Sequence, residues 1–258
     1  MAAMNAYSRR QVIVAQLQSQ RYVEVNALAE TFGVTMVTIR NDLAYLEQRG
    51  LVVRTHGGAV PPEDDSVVRE FGTTIKENRT QKEAIALAAA SLVEDGDTVI
   101  IDSGSTGAIL AKIIKKLKLT VVTNSLPVIQ ELKECEHIEL VVIGGVLRRH
   151  SYSLIGDLTS GVLGSINADW YFMGSTVFDI IKGVSSSNIM EGQTKQMMLK
   201  AANHVCLLAD SSKCGKTSLF SVCGWNQIDI FVTDALSETD RAILREQHEV
   251  DVRITSAG

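Results

Sequence analysis

The chain lacks the cysteine spacing, apolar runs and strong basic charge that would mark several large classes of protein. Its four cysteines, Cys135, Cys206, Cys214 and Cys223, include no CxxC pair. That spacing gives neither a disulfide framework nor a zinc site, so reduced thiols are expected, with Cys206 in an apolar run read as core. Five scattered histidines have no ligand spacing, and no metal is expected. No apolar run approaches the ~20 residues of a membrane helix, so no membrane partner is expected. The opening MAAMNAYSRRQ has no apolar segment of the signal-peptide kind. The expectation is a cytoplasmic protein without internal repeats or low-complexity tracts.

A strongly basic balance is also missing, since the net charge is −5. That argues against a non-specific architectural nucleic-acid protein. The charge is uneven, however. Residues 1–60 carry Arg9, Arg10, Arg21, Arg40, Arg49 and Arg54 against Glu24, Glu30, Asp42 and Glu47, which is 6 − 4 = +2 and leaves −7 for the rest. A mildly basic head on an acidic body would touch phosphate through the head alone.

What is present is a length of 258 residues with 45% hydrophobic content, enough for one large packed domain or two ordinary ones. In the head, Val12, Ile13 and Leu17 share one face of a helix over 8–20. Leu28 and Phe32 sit at i, i+4 in a second helix from about Val25 to Phe32. Gly33-Val34 turns the chain, and Thr35 is placed to cap a third helix whose Ile39, Leu43 and Leu46 recur at i, i+4, i+7. Gly50 ends it in the position a helix terminus favours. Helix, glycine turn, helix is the helix-turn-helix arrangement. Leu51–Arg54 has β-branched character and Gly57-Gly58 reads as a tight turn, a plausible β-wing. Met36, Thr38, Arg40 and Asn41 are left over between the core positions of helix three. Arg and Asn pair two-pronged with guanine and adenine edges, and Thr touches phosphate or a thymine methyl. A three-helix packing unit with a solvated polar face is the plainer alternative. A carboxylate would repel phosphate, so Asp42 reads as the structural partner of a nearby arginine. Gly57 and Gly58 are read as serving backbone conformations closed to other residues.

Pro61–Ser66 can continue neither helix nor sheet, and the division expected is 1–60 head, 61–74 linker and 75–258 body. An Ala-rich helix over 80–93 ends near Gly96. Apolar runs follow at Thr98–Ile101, Leu119–Val122, Ile138–Ile143, Trp170–Met173, His204–Leu208, Ile228–Val232 and Val250–Ile254, between helical stretches. Most of these runs are continuous rather than alternating, which fits strands buried on both faces of a mostly parallel, Rossmann-like α/β sheet. In such sheets ligands sit where loops leave the carboxyl ends of strands. Asp102-Ser103-Gly104-Ser105-Thr106 follows the first run and opens a helix. Its small residues, two hydroxyls and helix start suit a phosphate, although an ordinary capped turn would look the same. It is neither GxGxxG nor a Walker loop, so no nucleotide cofactor is expected. Thr123-Asn124-Ser125, Gly144-Gly145 with Arg148 and Arg149 nearby, and Asp210-Ser211-Ser212-Lys213 end other runs on the same edge. Lys213 and Arg148 read equally as phosphate partners or surface charges.

Val34–Val60 resembles the N-terminal signature of the DeoR family of bacterial repressors. The matching residues are Thr38-Ile39-Arg40, Asp42-Leu43, Leu46-Glu47, Gly50 and Arg54-Thr55-His56-Gly57-Gly58-Ala59. The body is similar to the same family in IDSGST, VVTNS, GGVLRR, the GVSSSN run with Glu191 and Lys195, and ADSSK. The resemblance spans residues 8–254. It implies a winged helix-turn-helix on a sensor domain related to ribose-5-phosphate isomerase-like folds, with double-stranded operator DNA and a phosphorylated sugar or sugar alcohol as partners. The DNA contacts implied are Thr35, Met36, Thr38, Arg40, Asn41, Arg54 and His56, with His56 holding the wing turn. The phosphate loop implied is Ser103, Gly104, Ser105 and Thr106. Asp102, Asn124, Gly145, Asn188, Glu191 and Lys213, with Arg148, would face the rest of the ligand. Two departures stand out: position 41 is Asn41 where the family is usually basic, and Ser175 or Thr176 replaces a usual acidic residue. A regulator rather than an enzyme is expected, acting as a homo-oligomer, dimer or tetramer. The alternative is a sugar-phosphate isomerase-like enzyme in which Glu191 and Lys195 move protons. Those two residues read more simply as a surface i, i+4 ion pair or as ligand contacts.

Overall fold

A computed structural model describes residues 6–20, 22–47, 52–55, 57–60 and 74–255. The chain divides into two compact units, Met1–Val67 and Val68–Gly258. The division falls within the segment 61–74 expected as linker; Gly50, Leu51, His56 and Pro61–Ser66 lie outside the described residues.

The first unit runs α1 (Ala6–Gln20), β1 (Val23–Glu24), α2 (Val25–Phe32), α3 (Met36–Glu47), β2 (Val53–Arg54) and β3 (Gly58–Val60). Ile13, Leu17, Leu28, Ile39, Leu43 and Leu46 are buried together with Val23, Val25, Val52 and Ala59. Gly33 closes α2 at φ 62°, in the left-handed conformation, with its N–H turned back to the Ala29 and Glu30 carbonyls. Thr35 Oγ1 accepts the Thr38 N–H at 3.2 Å, the cap expected for α3. The strands form an antiparallel sheet in the order β1-β3-β2. The hairpin closes where the Thr55 N–H donates to the Gly58 carbonyl at 3.0 Å. The unit is a winged helix-turn-helix.

The second unit carries α4 (Arg79–Ala90), β4 (Thr98–Ile101), α5 (Ser105–Ile114), β5 (Thr120–Thr123), α6 (Leu126–Leu132) and β6 (Glu139–Val142). A hairpin of β7 (Val146–Arg148) and β8 (Ser153–Ile155) leads to α7 (Ser160–Leu163) and β9 (Ala168–Gly174). Then come β10 (Val177–Asp179), β11 (Gly183–Ser186), α8 (Ile189–Lys200), β12 (Ala202–Leu208), β13 (Phe220–Cys223), β14 (Ile230–Thr233), α9 (Glu238–His248) and β15 (Asp251–Ile254).

Seven of these strands form one sheet in the order β15-β14-β12-β9-β4-β5-β6. Every neighbouring pair in it is parallel. Each of the seven apolar runs in the sequence supplies one of them. Successive side chains of a strand face opposite ways. Ile100, Val122, Tyr171, Leu207 and Phe231 therefore enter the core on one face. Val99, Ile101, Val121, Phe172, Cys206 and Val232 enter the core on the other. Both faces of the inner strands are covered, which is why polar residues do not alternate along them, whereas the edge strand β15 alternates Asp251-Val252-Arg253-Ile254.

The chain starts the sheet in its middle with β4, runs outward through β5 and β6, then returns to the other side of β4 with β9 and runs outward to β15. Strand order reverses between β4 and β9, so the loops leaving their carboxyl ends part and leave a crevice. Two smaller antiparallel sheets, β7-β8 and β10-β11-β13, were not legible as strands in the sequence.

Candidate functional site

The loop from β4 to α5 lies at this reversal. Gly104 sits at φ 131°, ψ 165°, a conformation closed to side-chain-bearing residues. A Cβ on Gly107 would stand 2.7 Å from the Asp102 carbonyl oxygen, so glycine there lets the first turn of α5 press against the strand end. Ser103, Ser105 and Thr106 are buried around it. Among the described residues no side chain caps α5, which leaves its first-turn N–H groups and the positive end of the helix dipole for an anion.

Asp102, 2% exposed, is the hub of the crevice. Its Oδ1 accepts the Ser103 N–H at 2.7 Å, and its Oδ2 accepts the Gly174 N–H from the end of β9 at 3.1 Å. The Lys195 ammonium, reaching in from α8, pairs with the same Oδ2 and donates to the Gly174 carbonyl at 3.0 Å. One carboxylate and one ammonium thus tie β4, β9 and α8 together. Burial works against the Lys195 charge, but the Asp102 and Glu191 carboxylates outweigh it and hold its pKa above the ordinary lysine value. The buried Tyr171 phenol is pushed well up, by burial first and then by the Asp102 carboxylate.

The β7–β8 hairpin forms a neighbouring wall. A Cβ on Gly145 would lie 2.7 Å from the Ile155 carbonyl oxygen, so the hairpin closes only over a glycine. Arg148 contacts Glu191 at 3.4 Å and donates to Ser151 Oγ at 3.2 Å. Asn124, at the end of β5, donates through Nδ2 to the Leu154 carbonyl at 3.0 Å and keeps a buried Oδ1 that has no hydrogen-bond partner among the described residues. Such an atom is costly unless something completes it. Asn188 caps α8, its side chain accepting the Glu191 N–H at 3.0 Å. Asp210 follows β12 and accepts from the Asn78 side chain at 3.0 Å, while Lys213, half-buried, follows in the same turn.

In the head, Asp42 is 1% exposed and pairs with Arg9 at 2.6 Å and Arg10 at 2.7 Å. It is the structural carboxylate expected, with partners on α1. Glu47 accepts the Arg54 N–H at 3.1 Å and its Nε at 2.8 Å. That backbone bond and the guanidinium hold the Glu47 carboxyl below its ordinary value. Thr35, Met36, Arg40 and Asn41 are exposed on α3 and its cap. Thr38 is half-buried, with its hydroxyl 3.0 Å from Thr35 Oγ1.

A family model described as the DeoR-like helix-turn-helix domain matches residues 9–64, and one described as the DeoR C terminal sensor domain matches residues 77–235. The chain belongs to the DeoR family of transcriptional regulators. Among its relatives, the HTH-type transcriptional regulator GolR of Listeria innocua is 34% identical, over 90% of this chain and 91% of its own. The lactose phosphotransferase system repressor of Staphylococcus aureus is 31% identical over 96% and 99% of the two chains. The HTH-type transcriptional repressor GlcR of Bacillus subtilis is 30% identical over 93% and 92%. Among solved structures, a ribose 5-phosphate isomerase from Methanocaldococcus jannaschii aligns at TM-score 0.41 and 20% identity, over 54% of this chain and 56% of its own. A likeness that loose carries no argument about chemistry.

The structure corrects two readings of this DeoR-family sequence. Glu191 and Lys195 are not a surface i, i+4 pair: Lys195 is 3% exposed and bonded to Asp102, while Glu191 meets Arg148. Nor are Gly57 and Gly58 required for unusual backbone angles, since neither has a positive φ. Gly58 is required for space, because a Cβ there would stand 2.0 Å from the Val23 carbonyl oxygen of β1. Lys195 itself was missed as a central residue. The available signal was its alignment with Glu191, Gly192, Thr194 and Met198, the face of α8 that is buried.

Proposed function

We propose that this DeoR-family chain represses carbohydrate-utilisation genes in the cytoplasm and that a phosphorylated sugar or sugar alcohol, bound at the β4–β9 crevice, modulates its hold on DNA. The observation that carries the effector reading is the uncapped start of α5 beside Asp102, at the reversal of strand order. The phosphate sits on Ser103–Thr106 and the helix start, with Lys213 and Arg148 offsetting its charge. Asp102, Asn124, Gly145, Asn188 and Glu191 meet the hydroxyl-bearing end, and the unpartnered Asn124 Oδ1 suits a ligand hydroxyl. Relatives named as a lactose phosphotransferase system repressor and as GlcR support the carbohydrate reading. The chain binds rather than turns over its ligand, a reading supported by Lys195, which an isomerase-like mechanism would use but which is buried and paired with Asp102.

The chain acts as a homo-oligomer, dimer or tetramer, because one helix-turn-helix buries too little surface for tight specific binding and paired heads read half-sites ~10 base pairs apart. A ligand releases DNA only if it binds the DNA-incompetent arrangement more tightly. The test is operator binding with increasing sugar phosphate, wild type beside a Ser105→Ala, Thr106→Ala variant. Two lost hydrogen bonds to a charged acceptor, at ~1.5–3 kcal/mol each, should lower effector affinity by ~10²–10⁴ and leave operator affinity intact. Release at the wild-type effector concentration would remove this loop from the phosphate site.

A further inference from the structure

Val37 is 62% exposed on α3, more so than Met36 at 48%. At ~100° per residue the buried stripe Ile39, Asp42, Leu43 and Leu46 is centred roughly opposite Val37, with Arg40, Asn41 and Ala44 within about 60° of it. Val37 is therefore the middle of the outward face, and it takes no part in the head's core. A water-facing β-branched residue also adds nothing to helix propensity.

Much of the polar chemistry of the head is already spoken for. Thr38 is hydrogen-bonded to Thr35, Arg9 and Arg10 are held by Asp42, and Arg54 is held by Glu47. Arg40 makes no ion pair among the described residues. The face offered to a partner thus combines one uncommitted guanidinium, one amide and one apolar branched side chain.

We propose that Val37 reads the C5-methyl group of a thymine in the major groove, within two base pairs of the base that Arg40 contacts. The proposal rests on the operator-binding role of α3. Valine has no donor or acceptor, and among the base edges of the major groove only thymine presents an apolar group. Recognition helices meet base edges through their N-terminal residues, and Val37 is the second residue of α3. Val37 and Arg40 are ~4.5 Å apart along the helix axis, little more than one ~3.4 Å base step, so the two contacts fall on neighbouring pairs.

The experiment first selects an operator from randomised duplex DNA with the full wild-type chain. Each thymine of that operator is then replaced singly by deoxyuridine, which removes the methyl group and nothing else. The wild type should lose about fourfold in affinity per half-site at one symmetric thymine, the loss expected for one unburied methyl. Val37→Ala should lose the same on the thymine operator and be indifferent to deoxyuridine there. Val37→Thr keeps one methyl and should keep part of the sensitivity, and melting curves confirm that both variants are folded. Equal deoxyuridine sensitivity of wild type and Val37→Ala at every position overturns the proposal. So does a loss in Val37→Ala that is equal on operator and scrambled DNA. Failure of the wild type to select any sequence would overturn the operator-binding role together with it.

Discussion

Replacing Lys195 by methionine removes an ammonium while nearly conserving volume, and should cost the sensor unit about 3–5 kcal/mol. The size follows from what is left behind. Asp102 stays 2% exposed, with the Ser103 and Gly174 N–H groups at 2.7 and 3.1 Å but no cation. A unit of this size shifts its melting temperature by ~2–4 °C per kcal/mol, so calorimetry should find the sensor transition ~6–20 °C lower. Adding Asp102→Asn to Lys195→Met removes the orphaned charge as well. The double variant should be less destabilised than the sum of the single ones, the signature of a coupled pair. The pH dependence has a defined sign. Lys195 has its folded pKa raised above the ordinary 10.5. Its contribution is therefore fully present below about pH 10.5 and lost as pH rises through the folded value. Lys195→Met should accordingly be destabilised evenly between pH 6 and 9, and should lose less than wild type on further alkaline titration. A melting temperature within about 2 °C of wild type, or additive single and double variants, would refute the pairing.

Asp42→Ala should unfold the head rather than merely weaken DNA contact, because Arg9, 6% exposed, would be left buried without its carboxylate. A loss of about 3–5 kcal/mol is expected, read by far-ultraviolet circular dichroism of the intact chain. Gly58→Ala drives a Cβ into the Val23 carbonyl and should cost about 1–3 kcal/mol by splaying β1 from β3, visible as early melting of the head. Arg40→Ala should lose ~1–3 kcal/mol per half-site on the specific operator and little on scrambled DNA. An equal loss on both duplexes in gel shifts at fixed salt would make Arg40 a phosphate contact instead.

The strands of the parallel sheet and the three helices of the head were readable from local pattern alone. A strand covered on both faces has few polar positions, so most members of the parallel sheet stood out as continuous apolar runs, the edge strand β15 (Asp251-Val252-Arg253-Ile254) being the alternating one. Glycine at the end of α2 and the Thr35 cap of α3 are likewise short-range effects, visible within a few residues. Order within the sheet was not readable, because seven similar apolar runs do not say which lies beside which. The small β10-β11-β13 sheet escaped notice because its strands have only three or four residues and β13 joins β11 across the intervening α8 and β12.

The candidate site divides in the same way. The loop Asp102–Thr106 was legible because its small residues, hydroxyls and helix start are consecutive. The Lys195 contact was not, since 93 residues separate it from Asp102 and a lysine in a polar helix looks like any solvated lysine. Gly58 looked like a turn residue, yet what it needs is room for β1, a strand of two residues with no sequence signature of its own. Local chemistry names the groups that could meet a ligand. Where the chain crosses from β6 back to β9 decides which of them share a crevice, and that crossing depends on how the sheet's two faces are covered.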